Sequence, residues 1–186
     1  MTLKVNIKQA TPWARAYWAA LRTEGKDSKG KEPSQSWKKR MLLCEHSPIR
    51  TVEYDVEFQN IRQWVTVHLV RHWLGFIPFV HSQRDDRREL SIPRDELPQG
   101  TLNDMSGCIN AQALINISRK RLCRQASRET REAWQMVKAE MGNVDPVMAS
   151  AMVPECVYRG FCPERRCCGY VNTEAYQVEL KKYREV

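Results

Sequence analysis

The sequence predicts an α+β fold, a single domain over residues 1–186 in which helices pack on a mixed sheet. Three observations carry that expectation. The stretch RTVEYDVEF sets Val52, Tyr54, Val56 and Phe58 against polar neighbours, the period of two that marks a half-buried strand. Apolar residues recur at helical spacing in several other segments. No regular alternation of strand and helix runs along the chain, as a doubly wound parallel sheet requires.

Taken in order, Thr11-Pro12 makes an N-cap and first-turn pair, and residues 13–21 follow with helical periodicity. Residues 24–33 (EGKDSKGKEP) are polar and broken by two glycines and a proline, which reads as a loop. Ser34 is placed to cap a second short helix ending near Cys44. The alternating strand comes next, with Asn60 in capping position after it. From 61 to 72 the pattern fits two structures. The β-branched residues favour strand, whereas Ile61, Trp64, Val65 and Leu69 also fit one helix face. Gly75 and Pro78 end that segment, and Pro93, Pro98 and Gly100 mark a second loop region. Two helices are expected at about 108–122 and 127–141, and one more helical turn at 145–151 before Pro154. The closing EAYQVELKKY reads as strand or helix.

Composition narrows the function. With 42% hydrophobic and 28% charged residues the chain is globular in type. No stretch approaches the roughly 20 apolar residues that span a bilayer, and MTLKVNIKQATPW lacks a signal-peptide apolar core. The chain is therefore expected to be cytoplasmic, without a membrane partner. Seven cysteines, an odd number with no secretory signal, argue against a disulfide framework. The net charge of +8 favours anionic partners such as nucleotides or phosphorylated cofactors. Acids interrupt every basic run (31–40, 84–94 and 119–131), which makes a continuous nucleic-acid track the weaker fit.

Three constellations carry chemistry. In VRHWLGFIPFVHSQR, Arg71, His72, Ser82 and Arg84 bracket an apolar run that reads as a turn. A hydroxyl beside a guanidinium suits a phosphate oxygen or a carbonyl, although a solvated strand end with a satisfied histidine has the same pattern. In the 108–122 segment, Asn110, Asn116 and Arg121 offer amides and a cation, with Arg121 and Arg124 at i,i+3. A salt-bridged surface helix, with Arg128 paired to Glu132, reads equally well. In the tail, Cys156, Cys162, Cys167 and Cys168 are candidate zinc ligands, packed free thiols or a redox pair, and their spacing matches no standard knuckle. No GxGxxG, Walker A loop, GxSxG elbow or HExxH occurs.

Together and in this order, the segments resemble the flavin-dependent thymidylate synthases. That family carries Arg-His-Arg, seven or eight residues, Ser, and an Arg two further on; here stand Arg71-His72-Trp73, eight residues, Ser82 and Arg84. KKRMLLCEHSP followed by RTVEYDVEF is similar to the family's helix, His-x-Ser-Pro turn and strand. WAALRT resembles its Ala-Arg-Val-Ser segment, and Asn110, Asn116, Arg121 and Glu129 fall at the spacing of its Asn-Arg helix and Gln-x-Glu turn. The resemblance spans roughly residues 10–135, leaving a cysteine-containing segment at 145–186.

The resemblance implies an α+β fold with a mixed, largely antiparallel sheet flanked by helices. It also implies a homotetramer with sites between subunits. The implied activity is methylation of dUMP to dTMP with FAD, using methylenetetrahydrofolate as one-carbon donor and NADPH as reductant. Arg71, His72, Asn110 and Asn116 would touch FAD. Ser82, Arg84, Arg121 and His68 would hold dUMP, with Arg121 and Ser82 the catalytic pair and Arg121 polarising the uracil. The alternatives are transfer of a methyl or hydroxymethyl group to another pyrimidine deoxynucleotide, or a nucleic-acid-binding protein on the same fold. Trp73, Gln112, Glu45, His68 and Ser127 depart from the family's residues. The chain between Arg84 and Asn110 is short, and DPVMASAMVPECVYRGF resembles the missing part, as in a rearranged relative.

Overall fold

The computed structural model describes residues 1–87 and 92–185. Its frame is one antiparallel sheet of β1 (Lys4–Gln9), β2 (Glu53–Arg62), β3 (Phe76–Val80) and β4 (Leu102–Asn110), in the order β1-β2-β4-β3. The alternation expected around Tyr54 is the reason β2 sits centrally. Tyr54, Val56, Phe58 and Ile61 are buried, while Glu53, Asp55 and Glu57 face out. β2 pairs with β1 from Lys4↔Gln59 to Gln9↔Tyr54, and with β4 from Glu53↔Asn110 to Arg62↔Leu102.

Helices cover the buried face. These are α1 (Trp13–Thr23), α2 (Gln35–Cys44), α3 (Gln63–Val70), α4 (Ala111–Arg121), α5 (Arg128–Val144), α6 (Pro146–Ala151), α7 (Glu155–Arg159) and α8 (Glu174–Arg184). α2 starts as expected, the Ser34 hydroxyl accepting from the Trp37 N–H at 3.2 Å. Trp13, Leu42, Tyr54, Phe58, Leu114 and Trp134 all belong to one core. A smaller cluster of Val153, Cys156, Val157, Tyr176 and Tyr183 anchors the C-terminal segment.

Four local expectations are corrected. The helix expected at 108–122 begins only at Ala111, because β4 runs to Asn110. Its inward positions are Asn103, Met105, Gly107 and Ile109, so a polar side chain and a glycine mask the period of two. The 61–72 segment divides, with Ile61 and Arg62 ending β2 and a helix following. Asn60 caps nothing. It lies in a register shift between Phe58 and Ile61 with φ +61°, a left-handed conformation asparagine tolerates, and its N–H donates to Asp104 Oδ1 at 2.9 Å. The apolar run LGFIPFV is a turn only at its start. From Phe76 it is β3, an edge strand, where Pro78 opposite Gly107 is tolerated because that edge needs no further donor. A Cβ on Gly107 would lie 2.6 Å from the Phe76 ring and 2.7 Å from the Ile77 carbonyl oxygen, so this pairing admits only glycine.

The connection between α5 and α6 is held by a buried carboxylate. Asp145 accepts from Trp13 Nε1 at 2.6 Å, the Tyr54 hydroxyl at 2.7 Å and the Met148 N–H at 3.0 Å. It thereby joins α1, β2 and the start of α6. Asp145→Ala is expected to cost about 3 kcal/mol or more, since two buried donors lose their acceptor and a helix loses its cap. Urea denaturation measures this; a loss below about 1 kcal/mol would show the network to be dispensable.

Candidate functional site

The site forms where α3 and α4 end side by side. α3 buries Val65, Thr66 and Leu69, which turns His68 toward α5 and brings Arg71 and His72 just past the helix end. α4 buries Ala113, Leu114 and Ile117 and leaves Asn116 and Arg121 toward the same edge. Arg121 Nε donates to His72 Nε2 at 2.9 Å, and Arg121 Nη2 to the His68 carbonyl at 2.7 Å. Nη1 has no hydrogen-bond partner among the described residues. His68 Nδ1 lies 3.0 Å from the Thr130 hydroxyl, which in turn accepts from Ser127 at 2.8 Å. One guanidinium is thus locked in direction by two elements, with one nitrogen left over.

Electrostatics set the imidazole's state. Burial first, and the Arg121 charge second, pull His72 down to about 4. His68 is lowered too, by burial and then by Arg121 and Arg71. His72 is therefore neutral at pH 7 and accepts at Nε2. A folded value of about 4 against 6.5 means the unfolded chain binds the proton first. The stability from neutral His72 is complete above about 6.5 and is lost as pH falls toward 4. The His72 ring resonances are expected to stay unshifted until pH approaches 4; titration near 6.5 in an NMR series would contradict the contact with Arg121.

Around this pair, Arg71, His72, Trp73, Leu74, Ala113, Asn116 and Ile117 line a hollow of about 150 Å³. Arg71 is exposed and forms no ion pair among the described residues. Trp73, where the family pattern has arginine, is 71% exposed. Asn110 has a structural duty: its Oδ1 accepts from Ala113 N–H at 2.9 Å to cap α4, and its own N–H donates to the Gly75 carbonyl at 2.9 Å. Gly75 has φ +78°, and a Cβ there would lie 2.6 Å from the Asn110 amide, so this turn depends on glycine. Arg124 is off α4 altogether, its guanidinium stacked 4.5 Å from the Tyr170 ring centroid, so the expected i,i+3 face with Arg121 does not exist. Arg128 and Glu132 pair as expected, at 2.7 Å.

Two departures from the family pattern touch one another. Glu45, in the left-handed conformation that ends α2, accepts from Gln112 Nε2 at 2.6 Å and pairs with Arg119. Gln112 Nε2 also reaches Asn116 Oδ1 at 3.3 Å, and Arg119 stacks on Tyr158, 3.4 Å from the centroid. Thr130, Arg119 and Tyr158 were not among the sequence-derived candidates. Only their spatial neighbours reveal them.

Ser82 and Arg84 lie elsewhere. They follow the C-terminal end of β3, where His81 N–H bonds the Asp104 carbonyl, whereas His72 precedes its N-terminal end. Phe76 to Ser82 covers about 20 Å of extended chain. The Ser82 hydroxyl accepts from Arg84 N–H at 3.3 Å, and Arg84 makes a two-pronged pair with Asp86 at 2.9 and 3.0 Å. No hydrogen bond among the described residues joins either to Arg121. The candidate zinc ligands fare no better as they stand: no three His, Cys, Asp or Glu side chains among the described residues are arranged to hold a metal ion. No described helix is long and apolar enough to cross a membrane.

An antiparallel four-stranded sheet with Asn- and Arg-bearing helix ends at one edge defines a fold shared with enzymes that methylate uracil nucleotides. No family model and no curated protein matches the sequence. Among solved structures, the chain is similar to a UMP/dUMP methylase, PolB, from Streptomyces cacaoi bound with 5-Br dUMP. That likeness has 14% identity, covers 86% of this chain and 96% of that one, and has a TM-score of 0.63. It is similar also to thymidylate synthase X from Helicobacter pylori with FAD and dUMP, at 15% identity, 81% and 99% coverage and a TM-score of 0.65. At such identities the likeness is one of fold, and the expected α+β class with its antiparallel sheet is the class observed.

Proposed function

We propose that the protein methylates dUMP to dTMP, with FAD, methylenetetrahydrofolate and NADPH as the reductive and one-carbon partners. The observation that carries this reading is the Arg121 guanidinium. It is fixed by His72 and the His68 carbonyl, with Nη1 left for a ligand, on a fold shared with uracil-nucleotide methylases. A guanidinium held at a uracil carbonyl stabilises the negative charge that develops there as C5 gains a bond. Neutral His72 supports this, because it accepts from Arg121 and does not add a competing positive charge.

The hollow's donor set fits a flavin. Arg71 offers an exposed cation for a phosphate, Asn116 an amide and Trp73 an exposed ring. Arg71, His72 and Asn116 would hold FAD, with Asn110 supporting them as the cap of α4; bound FAD supplies two-electron transfer between NADPH and the one-carbon unit. A hollow of about 150 Å³ encloses only part of such a cofactor, so a second subunit completes the enclosure. Ser82 and Arg84 belong to that second subunit's contribution. The exposed Arg84–Asp86 pair is worth about 0–1 kcal/mol, which a dianionic phosphate outcompetes. Trp73, Leu74, Ile77 and Phe79, all more than half exposed around edge strand β3, give a further copy an apolar surface to cover.

The test is direct. Purified protein is incubated with methylenetetrahydrofolate, NADPH and FAD, with dUMP in one arm and UMP in the other. FAD-dependent dTMP is expected. A methylated ribonucleotide alone would move the substrate to UMP, as for the Streptomyces cacaoi protein's named substrates. Salt-steep DNA binding with no nucleotide affinity would replace the enzyme reading with the nucleic-acid one.

A further inference from the structure

A second concave site lies where the end of α4, α7 and the loop leading to α8 meet, with a volume of about 640 Å³. Five of the seven cysteines line it: Cys123, Cys156, Cys162, Cys167 and Cys168. They arrive from three separate segments, just after α4, on α7 and along the loop. Nothing in the nucleotide site uses them. The sequence pattern pointed only to the tail cysteines; Cys123 joins them through the fold.

The backbone around these sulfurs is arranged for thiolates. The Gly169 N–H donates to Cys167 Sγ at 3.3 Å. The Gln125 and Glu164 N–H groups favour the thiolate of Cys123 and Cys162 respectively. In all three cases the donor lies two residues beyond the cysteine. An N–H aimed at sulfur stabilises the anion, and thiolate is the metal-binding form. The walls are also cross-tied: Gln125 Nε2 donates to the Arg166 carbonyl at 2.6 Å, and Arg124 stacks on Tyr170. Arg124, Arg131 and Lys138 line the same cavity and would offset the charge of several thiolates.

We propose that this cavity is a structural site for a soft divalent ion of the zinc class, held by Cys123, Cys156 and Cys162 with a fourth sulfur from the Cys167–Cys168 pair. As the side chains stand, no three converge on one point. That is the arrangement of protonated thiols, in which Cys162 and Cys167 hydrogen-bond each other. Binding releases one proton from each of four thiols and forms four metal–sulfur bonds, leaving the metal's oxidation state unchanged. Cys167 and Cys168 are exposed, so their side chains can rotate onto the ion without disturbing the core. The ion would tie the C-terminal segment to the end of α4, two residues beyond Arg121.

The experiment reads metal, not activity, so its outcome is separate from that of the methylation assay. Protein expressed in zinc-supplemented medium is expected to hold about one zinc per chain. Cobalt substitution should give a thiolate-to-metal charge-transfer band. Cys123→Ser and Cys156→Ser are expected to lose the ion, while Cys44→Ser and Cys108→Ser, outside the cavity, retain it. Should the buried variants fail to fold, the exposed Cys167→Ser and Cys168→Ser decide the matter, since one of the two must lose the metal. Zinc well below one per chain, or a Cys162–Cys167 disulfide found by mass spectrometry in metal-replete protein, would overturn the proposal.

Discussion

Arg121→Ala is expected to lower kcat/KM for dUMP by about 10²–10³-fold, the usual consequence of removing one fixed donor at a developing oxyanion. The size of the effect follows from how the side chain is held. Nε and Nη2 are occupied by His72 and the His68 carbonyl, so the guanidinium has one orientation and little motion left to lose on binding. Arg121→Lys should recover little, because one ammonium cannot reach two protein acceptors and the substrate in a fixed plane. A second readout separates chemistry from collapse. Without the Arg121 charge, the His72 value should rise from about 4 part of the way toward 6.5, burial keeping it low. A folded Arg121→Ala protein with wild-type kcat/KM would remove Arg121 from the site.

Mixing two inactive variants is expected to restore activity. Arg121→Ala removes the uracil-side cation, and Ser82→Asp sets a carboxylate where the phosphate is proposed to sit. Because His72 and Ser82 flank opposite ends of β3, one nucleotide cannot contact both sets within a single chain. In a two-fold assembly of one variant with the other, each mixed interface holds one doubly altered site and one intact site. Random reassembly at equal amounts then gives about a quarter of wild-type activity. If both residues served the same chain's site, every site in the mixture would carry a lesion, and no activity would return. Sites built within one chain are sunk by that second outcome.

The elements that declared themselves in the sequence were those whose burial follows one simple period. β2 was legible because Tyr54, Val56 and Phe58 alternate with acids, and α2 because Ser34 caps it. β4 was hidden because its inward face carries Asn103 and Gly107. Each has a tertiary reason: Asn103 bonds Gln63 and the His81 carbonyl, and Gly107 makes room for Phe76. The 61–72 segment was ambiguous because a bulge and a strand end precede a helix within a few residues. The network of Glu45, Gln112 and Arg119 could not be read at all, since its members lie in different elements.

By itself the sequence determined the α+β class, the central strand, most helices and which cations and amides deserved attention. These are local matters, settled by periodicity, capping and charge. Only the tertiary structure decided which candidates meet. It brought His68, His72 and Arg121 together, left Ser82 and Arg84 at the far end of an edge strand, and gathered Cys123 with four tail cysteines. Contacts of that kind join residues far apart in the chain, and no spacing rule within one segment contains them.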